Sequence, residues 1–305
     1  MEFVRSLFLF LSRRKHLRKW LETSPLARRL ASRFVAGDTL DDALAVGRRL
    51  NSEHIAITLD HLGESVTSLA EAAQARDVYR HLLDAMRESK LEPNVSLKLT
   101  QFGLDLSPEA CLANVGQVVE RAAAIAGFIR VDMESSEYTD RTLAVVRELH
   151  ARHQAVGTVI QAYLYRSRKD VELMCKEGIR VRLCKGAYLE PHSTAFAHKR
   201  QVDENYVELM KLLLDSGTYP AIATHDEKMI EAAKAHVASR NLPRDRFEFQ
   251  MLYGIRRDLQ RRLVAEGYRL RLYVPFGEAW YPYYMRRLAE RPANVFFVLR
   301  HWWRQ

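Results

Sequence analysis

The fold is decided by the stretch Arg269-Leu-Arg-Leu-Tyr-Val-Pro-Phe-Gly277, in which polar and apolar side chains alternate. Alternation of this kind has the period of a β-strand. Pro275 and Gly277 are predicted to end the strand, and Pro282 then lies where a helical turn begins, a position that needs no N–H. The stretch therefore predicts a strand, a short loop and a helix.

Two arginines, Arg286 and Arg287, lie side by side in this predicted helix. Adjacent guanidinium groups repel each other least when an anion lies between them, and a carboxylate matches their planar donors. One interpretation is a site for the carboxylate of a small substrate. The other is a pair of surface charges, because arginine pairs also occur at 256–257 and 261–262.

The strand-then-helix pattern recurs eight times from residue 54 onward. The predicted strands are Ile55–Leu59, Val95–Thr100, Phe128–Met133, Thr158–Tyr163, Ile179–Lys185, Ala221–His225, Phe247–Leu252 and Arg269–Val274. Eight such units in about 240 residues match a (β/α)8 barrel in number and size. A doubly wound sheet is the alternative, but no GxGxxG turn follows any predicted strand. We therefore predict an α/β fold with a TIM-like barrel at 51–305 and extra N-terminal helices at 1–50.

The predicted strands carry charged residues on one face and apolar residues on the other. The apolar face must pack against the helices, so the polar face points into the barrel. Charges in such an interior must pair with one another or with a ligand. The inward set is Asp60, Lys98, Arg130, Asp132, Glu134, Arg180, Arg182, Glu248 and Arg271. A self-neutralised ion-pair core and a site for an anionic ligand both remain open.

The chain of 305 residues is 48% hydrophobic and 28% charged, as in globular proteins. Its three cysteines lack metal-ligand spacing and indicate a reducing compartment, so we expect a cytoplasmic protein without a catalytic metal. The net charge of +9 is concentrated at the two ends. Nucleic acid or an anionic membrane surface could meet such ends, and solvated helix faces are the alternative. We read the N-terminus as mature protein rather than as a transit peptide.

Several short motifs lie at predicted strand ends. Arg182-Leu-Cys-Lys-Gly-Ala-Tyr188 places two cations beside a glycine that allows close backbone approach, which suits a nucleotide-type cofactor. His225 could donate to a cofactor, act as a base or cap the next helix. Gln161 could satisfy a donor and an acceptor on one ring edge. Glu64, beyond the first strand, could pair with the arginine helix or simply favour a helix N-terminus.

Six short motifs, taken together, resemble those of the proline dehydrogenase family in its short monofunctional bacterial form. They occur in the family order over roughly residues 50–300. The motifs are Ser96-Leu-Lys-Leu-Thr100, Val131-Asp-Met-Glu134, Val181-Arg-Leu-Cys-Lys-Gly-Ala-Tyr188, Ala223-Thr-His-Asp226, Phe249-Gln-Met-Leu-Tyr-Gly254 and Tyr283-Tyr-Met-Arg-Arg-Leu288. The resemblance implies a distorted barrel, non-covalent FAD, oxidation of L-proline to 1-pyrroline-5-carboxylate as the first step of catabolism to glutamate, and electron transfer to quinone.

The resemblance also implies roles for individual residues. Arg286, Arg287 and Lys98 would hold the proline carboxylate, and Tyr273 would pack on its ring. Asp132 would organise the pocket, while Glu64 would pair with the helix arginines as a gate. Arg182 would lie beside the reactive flavin nitrogen. The other expected FAD contacts are Met133, Gln161, Lys185, Gly186, Ala187, Thr224 and His225.

Two rival functions remain. A Schiff-base barrel enzyme would use Lys98 or Lys185, and a nucleic-acid-binding module would show steep salt dependence but leave the polar strand faces unexplained. We expect no nucleic-acid partner.

Residues 3–20 and 296–303 mix basic, aliphatic and aromatic side chains, which is typical of membrane-surface helices. A peripheral contact at the inner face of the cell membrane is therefore a further expectation, and packing against the barrel is the alternative.

Overall fold

A computed structural model of the protein describes residues 31–63 and 65–290, with side chains as far as Met285. The strands are β1 (Ala56–His61), β2 (Asn94–Leu97), β3 (Phe128–Val131), β4 (Val156–Gln161), β5 (Arg180–Cys184), β6 (Ala221–Ala223), β7 (Glu248–Leu252) and β8 (Leu270–Phe276). The helices are α1 (Leu40–Ser52), α2 (Leu69–Glu88), α3 (Pro108–Ala124), α4 (Thr139–Arg152), α5 (Ser167–Lys176), α6 (Lys199–Ser216), α7 (Glu227–Ser239), α8 (Arg257–Ala265) and α9 (Trp280–Glu290). Short 3₁₀ turns occupy Leu99–Phe102, Ser136–Tyr138 and Arg244–Arg246.

The eight strands pair in chain order, all parallel, and β8 closes the barrel against β1. The predicted (β/α)8 fold is confirmed, with each strand end within three residues of its predicted position. Local signals place the helices: Thr39 forms a capping box with Asp42 at the start of α1, and the Ser107 hydroxyl accepts from the Ala110 N–H at the start of α3.

One predicted strand end is wrong. Pro275 was expected to end the eighth strand, but β8 continues through Phe276. The last β7 residue paired with β8 is Leu252, opposite Tyr273, so the end of β8 pairs only with β1. A strand with one free side tolerates the missing proline N–H, and the Pro275 carbonyl instead accepts from the Ala36 N–H at 2.9 Å.

The barrel is distorted because α9, the last helix among the described residues, does not lie beside β8. The buried residues of α9 form a separate cluster with Leu62, after β1, and Ile255, after β7. This places α9 across the carboxyl ends of the strands. Helix α1 packs against β1 and β8 instead, and its buried residues belong to the main barrel core. The predicted boundary at residue 50 remains a prediction, since residues 1–30 lie outside the described part of the chain.

The segment 31–37 ties this end of the barrel together. Gly277 N–H donates to the Gly37 carbonyl at 2.9 Å, and Gly254 lies directly under Arg33. A Cβ at Gly254 would lie 1.7 Å from the Arg33 carbonyl oxygen, and the residue has a φ of +77°. Glycine is therefore required there both for its backbone conformation and for the close approach.

Gly254→Ala is expected to destabilise the fold far more than Gly178→Ala. Gly178 has a similar φ of +71°, but its nearest neighbour to an added Cβ is 3.8 Å away. The control should lose about 1–2 kcal/mol from the left-handed backbone alone, and Gly254→Ala should lose the same amount plus the cost of moving residue 33. Urea unfolding measures both. Equal losses would contradict the described docking of residues 31–37.

The lower interior of the barrel, toward the amino ends of the strands, is a layer of hydrogen-bonded polar side chains. Arg271 donates to both carboxylate oxygens of Glu248 at 2.9 and 3.1 Å, and to Glu92. Arg130 donates to the carbonyls of Thr158 and Arg180 at 3.0 and 2.6 Å. The ion-pair interpretation of the inward charges therefore holds for Arg271 and Glu248, whereas Arg130 is held by backbone carbonyls.

Candidate active site

Three of the predicted site residues meet at the carboxyl end of the barrel. Asp132 follows β3 directly, Lys98 follows β2, and Tyr273 lies in β8. Tyr273 Oη donates to Asp132 Oδ2 at 3.1 Å, and Lys98 Nζ lies 3.9 Å from the same oxygen. Burial, together with the negative charges of Asp132 and Asp60, raises the pKa of Tyr273 well above its usual value, so the hydroxyl stays a donor.

Asp60, in β1, completes this group. Its Oδ2 accepts from Tyr273 Oη at 2.5 Å and lies 3.6 Å from Lys98 Nζ, and the residue is fully buried. Tyr79, from α2, reaches its other oxygen at 3.5 Å. Lys98 therefore lies between two carboxylates, and its side chain keeps 22% of its surface exposed toward the barrel mouth.

Arg182, in β5, is held by one hydrogen bond from each guanidinium nitrogen. Its Nη1 donates to Asp132 Oδ1 at 2.7 Å, its Nη2 to Ser96 Oγ at 3.0 Å, and its Nε to Gln250 Oε1 at 2.5 Å. Its guanidinium carbon also lies 5.4 Å from the ring centre of Tyr273. These contacts account for three of its five N–H groups.

Lys185 and His225 extend the site along the ends of β5 and β6. Lys185 Nζ donates to Asp203 at 2.5 Å and to Asp226 at 2.8 Å. His225 Nε2 accepts from the Leu252 N–H at 2.9 Å, which leaves the proton of the neutral ring on Nδ1. The capping role considered for His225 belongs to Asp226, whose side chain accepts from the Lys228 N–H.

Thr224 supports the same turn, because its hydroxyl accepts from the Asp226 N–H at 3.1 Å. Gly186 has a φ of +118°, and the position of an added Cβ is filled by the Tyr163 ring at 2.4 Å. Close packing thus requires glycine at this turn. Ala187 follows it in the β5–α6 loop.

Gln161 and Met133 border the group on the β3–β4 side. Gln161 Nε2 donates to the Glu134 carbonyl at 2.9 Å, which fixes the side-chain amide at the end of β4. Met133 is 6% exposed and belongs to the barrel core. Glu134 accepts from the Thr100 hydroxyl at 2.8 Å, and burial raises its pKa despite that bond.

The remaining predicted residues are located only in part. Arg286 and Arg287 lie in α9, the helix that crosses the barrel mouth, but their side chains lie outside the described part of the structure. Glu64 also lies outside the described residues. Their predicted roles therefore remain predictions.

Among the residues that contact Lys98, Asp132, Arg182 or Tyr273, Asp60, Ser96 and Gln250 had no assigned role in the sequence interpretation. Asp60 was recognised as inward-facing, and its position near the end of β1 could have identified it. Gln250 belongs to a quoted motif, but only its contact with Arg182 places it at the site.

The described residues, 31–63 and 65–290, contain neither a metal-binding cluster nor a membrane-spanning helix. Among them, no group of three or more histidine, cysteine and acidic side chains is arranged to hold a metal ion. Within the same ranges, every helix is too short or too polar to cross a membrane.

Comparisons with known proteins agree with this geometry. Residues 43–300 match the family model described as proline dehydrogenase. The chain is 43% identical over 297 residues to proline dehydrogenase 1 of Bacillus subtilis, covering 97% of this chain and 98% of the relative. It is 42% identical over 278 residues to proline dehydrogenase of Deinococcus radiodurans, covering 89% of each.

A solved structure supports the same fold. The crystal structure of proline utilization A from Bdellovibrio bacteriovorus inactivated by N-propargylglycine superposes with a TM-score of 0.81 at 28% identity. The match covers 87% of this chain and 33% of that longer protein.

Proposed function

The chain belongs to the proline dehydrogenase family and acts by oxidising proline, and from this premise we propose that FAD takes the hydride and that the product is 1-pyrroline-5-carboxylate. The family predicted from the sequence motifs is confirmed by these comparisons. The observation that carries the proposal is the cluster of Lys98, Asp132, Arg182 and Tyr273 at the barrel mouth, in which Arg182 is buried and the other three residues are half-buried.

The proposed substrate site combines this cluster with α9. Lys98, Arg286 and Arg287 supply the cations for the proline carboxylate, and a guanidinium binds a carboxylate through two parallel hydrogen bonds. Tyr273 offers its ring face to the pyrrolidine while its hydroxyl is anchored between two carboxylates. Glu64 then pairs with the α9 arginines as a gate that excludes water.

The donors at the ends of β4, β5 and β6 fit a flavin. The described hydrogen bonds of Arg182 use three of its five N–H groups, and its guanidinium places a positive charge beside the proposed flavin site. His225 carries a proton on Nδ1, and Gln161 presents a fixed amide. We assign Met133, Lys185, Gly186, Ala187 and Thr224 to the same FAD site.

Bound FAD would supply the hydride acceptor for the C–H next to the proline nitrogen, and the N–H proton would be released to solvent as the C=N bond of the product forms. The protein fixes the ring by its carboxylate, and such positioning contributes several kcal/mol toward the barrier. The carboxylate of Asp132 helps to orient both residues, because one of its oxygens accepts from Arg182 and the other from Tyr273. The Arg182 guanidinium stabilises negative charge that develops beside it during the transfer.

The Schiff-base alternative receives no support from the two lysines. Lys98 lies between Asp60 and Asp132, and Lys185 donates to Asp203 and Asp226. A Schiff-base lysine must present its amine to a carbonyl substrate, whereas Lys185 Nζ donates to two carboxylates at 2.5 and 2.8 Å and Lys98 Nζ lies 3.6 and 3.9 Å from two others.

An absorbance spectrum tests the proposal. The purified protein is expected to be yellow, and anaerobic L-proline is expected to bleach it, because the two electrons of proline reduce the flavin. A colourless protein, or a yellow one that keeps its spectrum with proline, would contradict the proposed chemistry.

The electron acceptor is proposed to be a quinone dissolved in the membrane, reached through the basic N-terminal residues, which lie outside the described part. Removal of residues 1–20 is expected to weaken binding to anionic liposomes and to slow quinone reduction, while a soluble dye is reduced at the original rate. Unchanged liposome binding and quinone reduction would remove the membrane contact from the proposal.

A further inference from the structure

Gln250 joins the Arg182 guanidinium to a carboxylate deeper in the barrel. Its Oε1 accepts from Arg182 Nε at 2.5 Å, and its Nε2 donates to Glu248 Oε1 at 2.5 Å. All three side chains are buried, with Gln250 only 4% exposed. The amide orientation follows from chemistry, because a guanidinium can only donate and an ionised carboxylate can only accept.

Arg271 holds the carboxylate of Glu248 in place. Burial raises its pKa, but the charge and hydrogen bonds of Arg271 outweigh this effect, so the pKa of Glu248 lies below its usual value. Arg271 in turn donates to Glu92, whose side chain is 54% exposed. A continuous chain of side-chain hydrogen bonds therefore runs from Arg182 at the mouth to the opposite end of the barrel.

Glutamine is the residue of this shape that can connect these two partners. A glutamate at 250 would place a second carboxylate against Glu248. A leucine would remove the hydrogen bond that Gln250 makes with each partner, while Arg182 would keep its bonds to Asp132 and Ser96 and Glu248 would keep those from Arg271. Because Gln250 is uncharged, Asp132 is the carboxylate that ion-pairs with Arg182 among the described residues. The guanidinium thus keeps more of its charge than it would between two carboxylates.

We propose that Gln250 is a positioning residue for proline oxidation. It orients the Arg182 guanidinium toward the flavin and does so without neutralising it, while Glu248 fixes the orientation of the amide. This inference rests on the proposed FAD function. It concerns the ease of reducing the flavin, not the binding of proline, because Gln250 contacts Arg182 and Glu248 rather than the carboxylate-binding cations.

The test compares holoenzyme carrying Gln250→Leu, Gln250→Glu or the control Gln260→Leu. Gln260 is also 4% exposed and makes two hydrogen bonds, to the carbonyls of Leu252 and Ile255, but none to Arg182. For each protein we would measure the flavin midpoint potential with a reference dye, the rate of anaerobic reduction by proline, and KM.

Gln250→Glu is expected to lower the equilibrium constant for flavin reduction roughly tenfold, about 30 mV for a two-electron couple. Gln250→Leu is expected to slow reduction by roughly 10- to 100-fold, since a misplaced catalytic group can cost about 10²-fold. KM should stay within about threefold in both variants, because the groups that hold the carboxylate are unchanged. Gln260→Leu should match the wild type in all three measurements.

Wild-type potential and reduction rate in both Gln250 variants would overturn the inference, as would an equal loss in Gln260→Leu. Failure of both Gln250 variants to fold, with Gln260→Leu folded, would assign Gln250 a structural role and also overturn it. A wild-type protein without flavin, or with flavin that proline does not reduce, would refute the proposed function instead.

Discussion

Arg286→Ala and Arg287→Ala should each raise KM for proline by roughly 100-fold while FAD stays bound, since a hydrogen bond to a charged group contributes about 1.5–3 kcal/mol. The expectation rests on the position of α9 across the barrel mouth, where its buried residues pack in one cluster with Leu62, Ile255 and Tyr273. Steady-state kinetics gives KM, and the absorbance of the purified variants gives the flavin content.

Arg261→Ala is the matched control for this pair. Arg261 is an exposed arginine of α8, so its removal changes the net charge equally without touching the proposed site. KM should remain at the wild-type value in this variant. Loss of FAD from both α9 variants, or an equal rise in KM for Arg261→Ala, would contradict the assigned carboxylate-binding role.

Arg271→Met should lower the free energy of unfolding by about 3–5 kcal/mol, because it leaves the carboxylate of Glu248 buried without its cation. Arg271 and Glu248 are 5% and 3% exposed, and two hydrogen bonds join them. Urea denaturation at neutral pH measures the loss. The double variant Arg271→Met/Glu248→Met should recover most of it, since an apolar pair leaves no buried charge.

Arg147→Met provides the surface comparison. Arg147 pairs with Glu177, and both side chains are partly exposed, at 45% and 28%. An ion pair in this setting contributes about 0–1 kcal/mol. A loss for Arg271→Met as small as that for Arg147→Met would show that the interior charges are not mutually stabilised.

The acid stability of the protein follows from the same pair. In the folded state the pKa of Glu248 lies below its usual value of 4.5, since Arg271 outweighs the effect of burial. The contribution of this carboxylate is therefore complete above pH 4.5 and is lost as the pH falls through the lowered pKa.

The fold and several site residues were predictable because their signals are local. Alternation along Leu270–Phe276 and seven similar stretches shows which face of each strand packs against the helices, and the polar face inside the barrel is buried as well. Thr39 and Ser107 mark helix starts through contacts with residues three positions away. Lys98, Asp132 and Tyr273 could be placed at one end of the barrel because parallel strands all present their carboxyl ends there.

The partners of the inward charges were not predictable in this way. Sequence alternation left an ion-pair core and a ligand site as equal interpretations. The structure contains the ion pair between Arg271 and Glu248 in the lower layer, whereas the group around Lys98 lies at the mouth. The role of Gln250 and the one-sided pairing that admits Pro275 into β8 depend equally on which strands are neighbours.

The sequence by itself thus determined three features: the strand–helix repeat, the face of each strand that packs against the helices, and the family. These features depend on residue types and short spacings. Only the tertiary structure decided which buried charge neutralises which, and where α9 lies. The reason is that closing a staggered barrel brings together side chains far apart in the chain, such as Asp60 with Tyr273 and Arg182 with Gln250, and their distances depend on strand register rather than on local pattern.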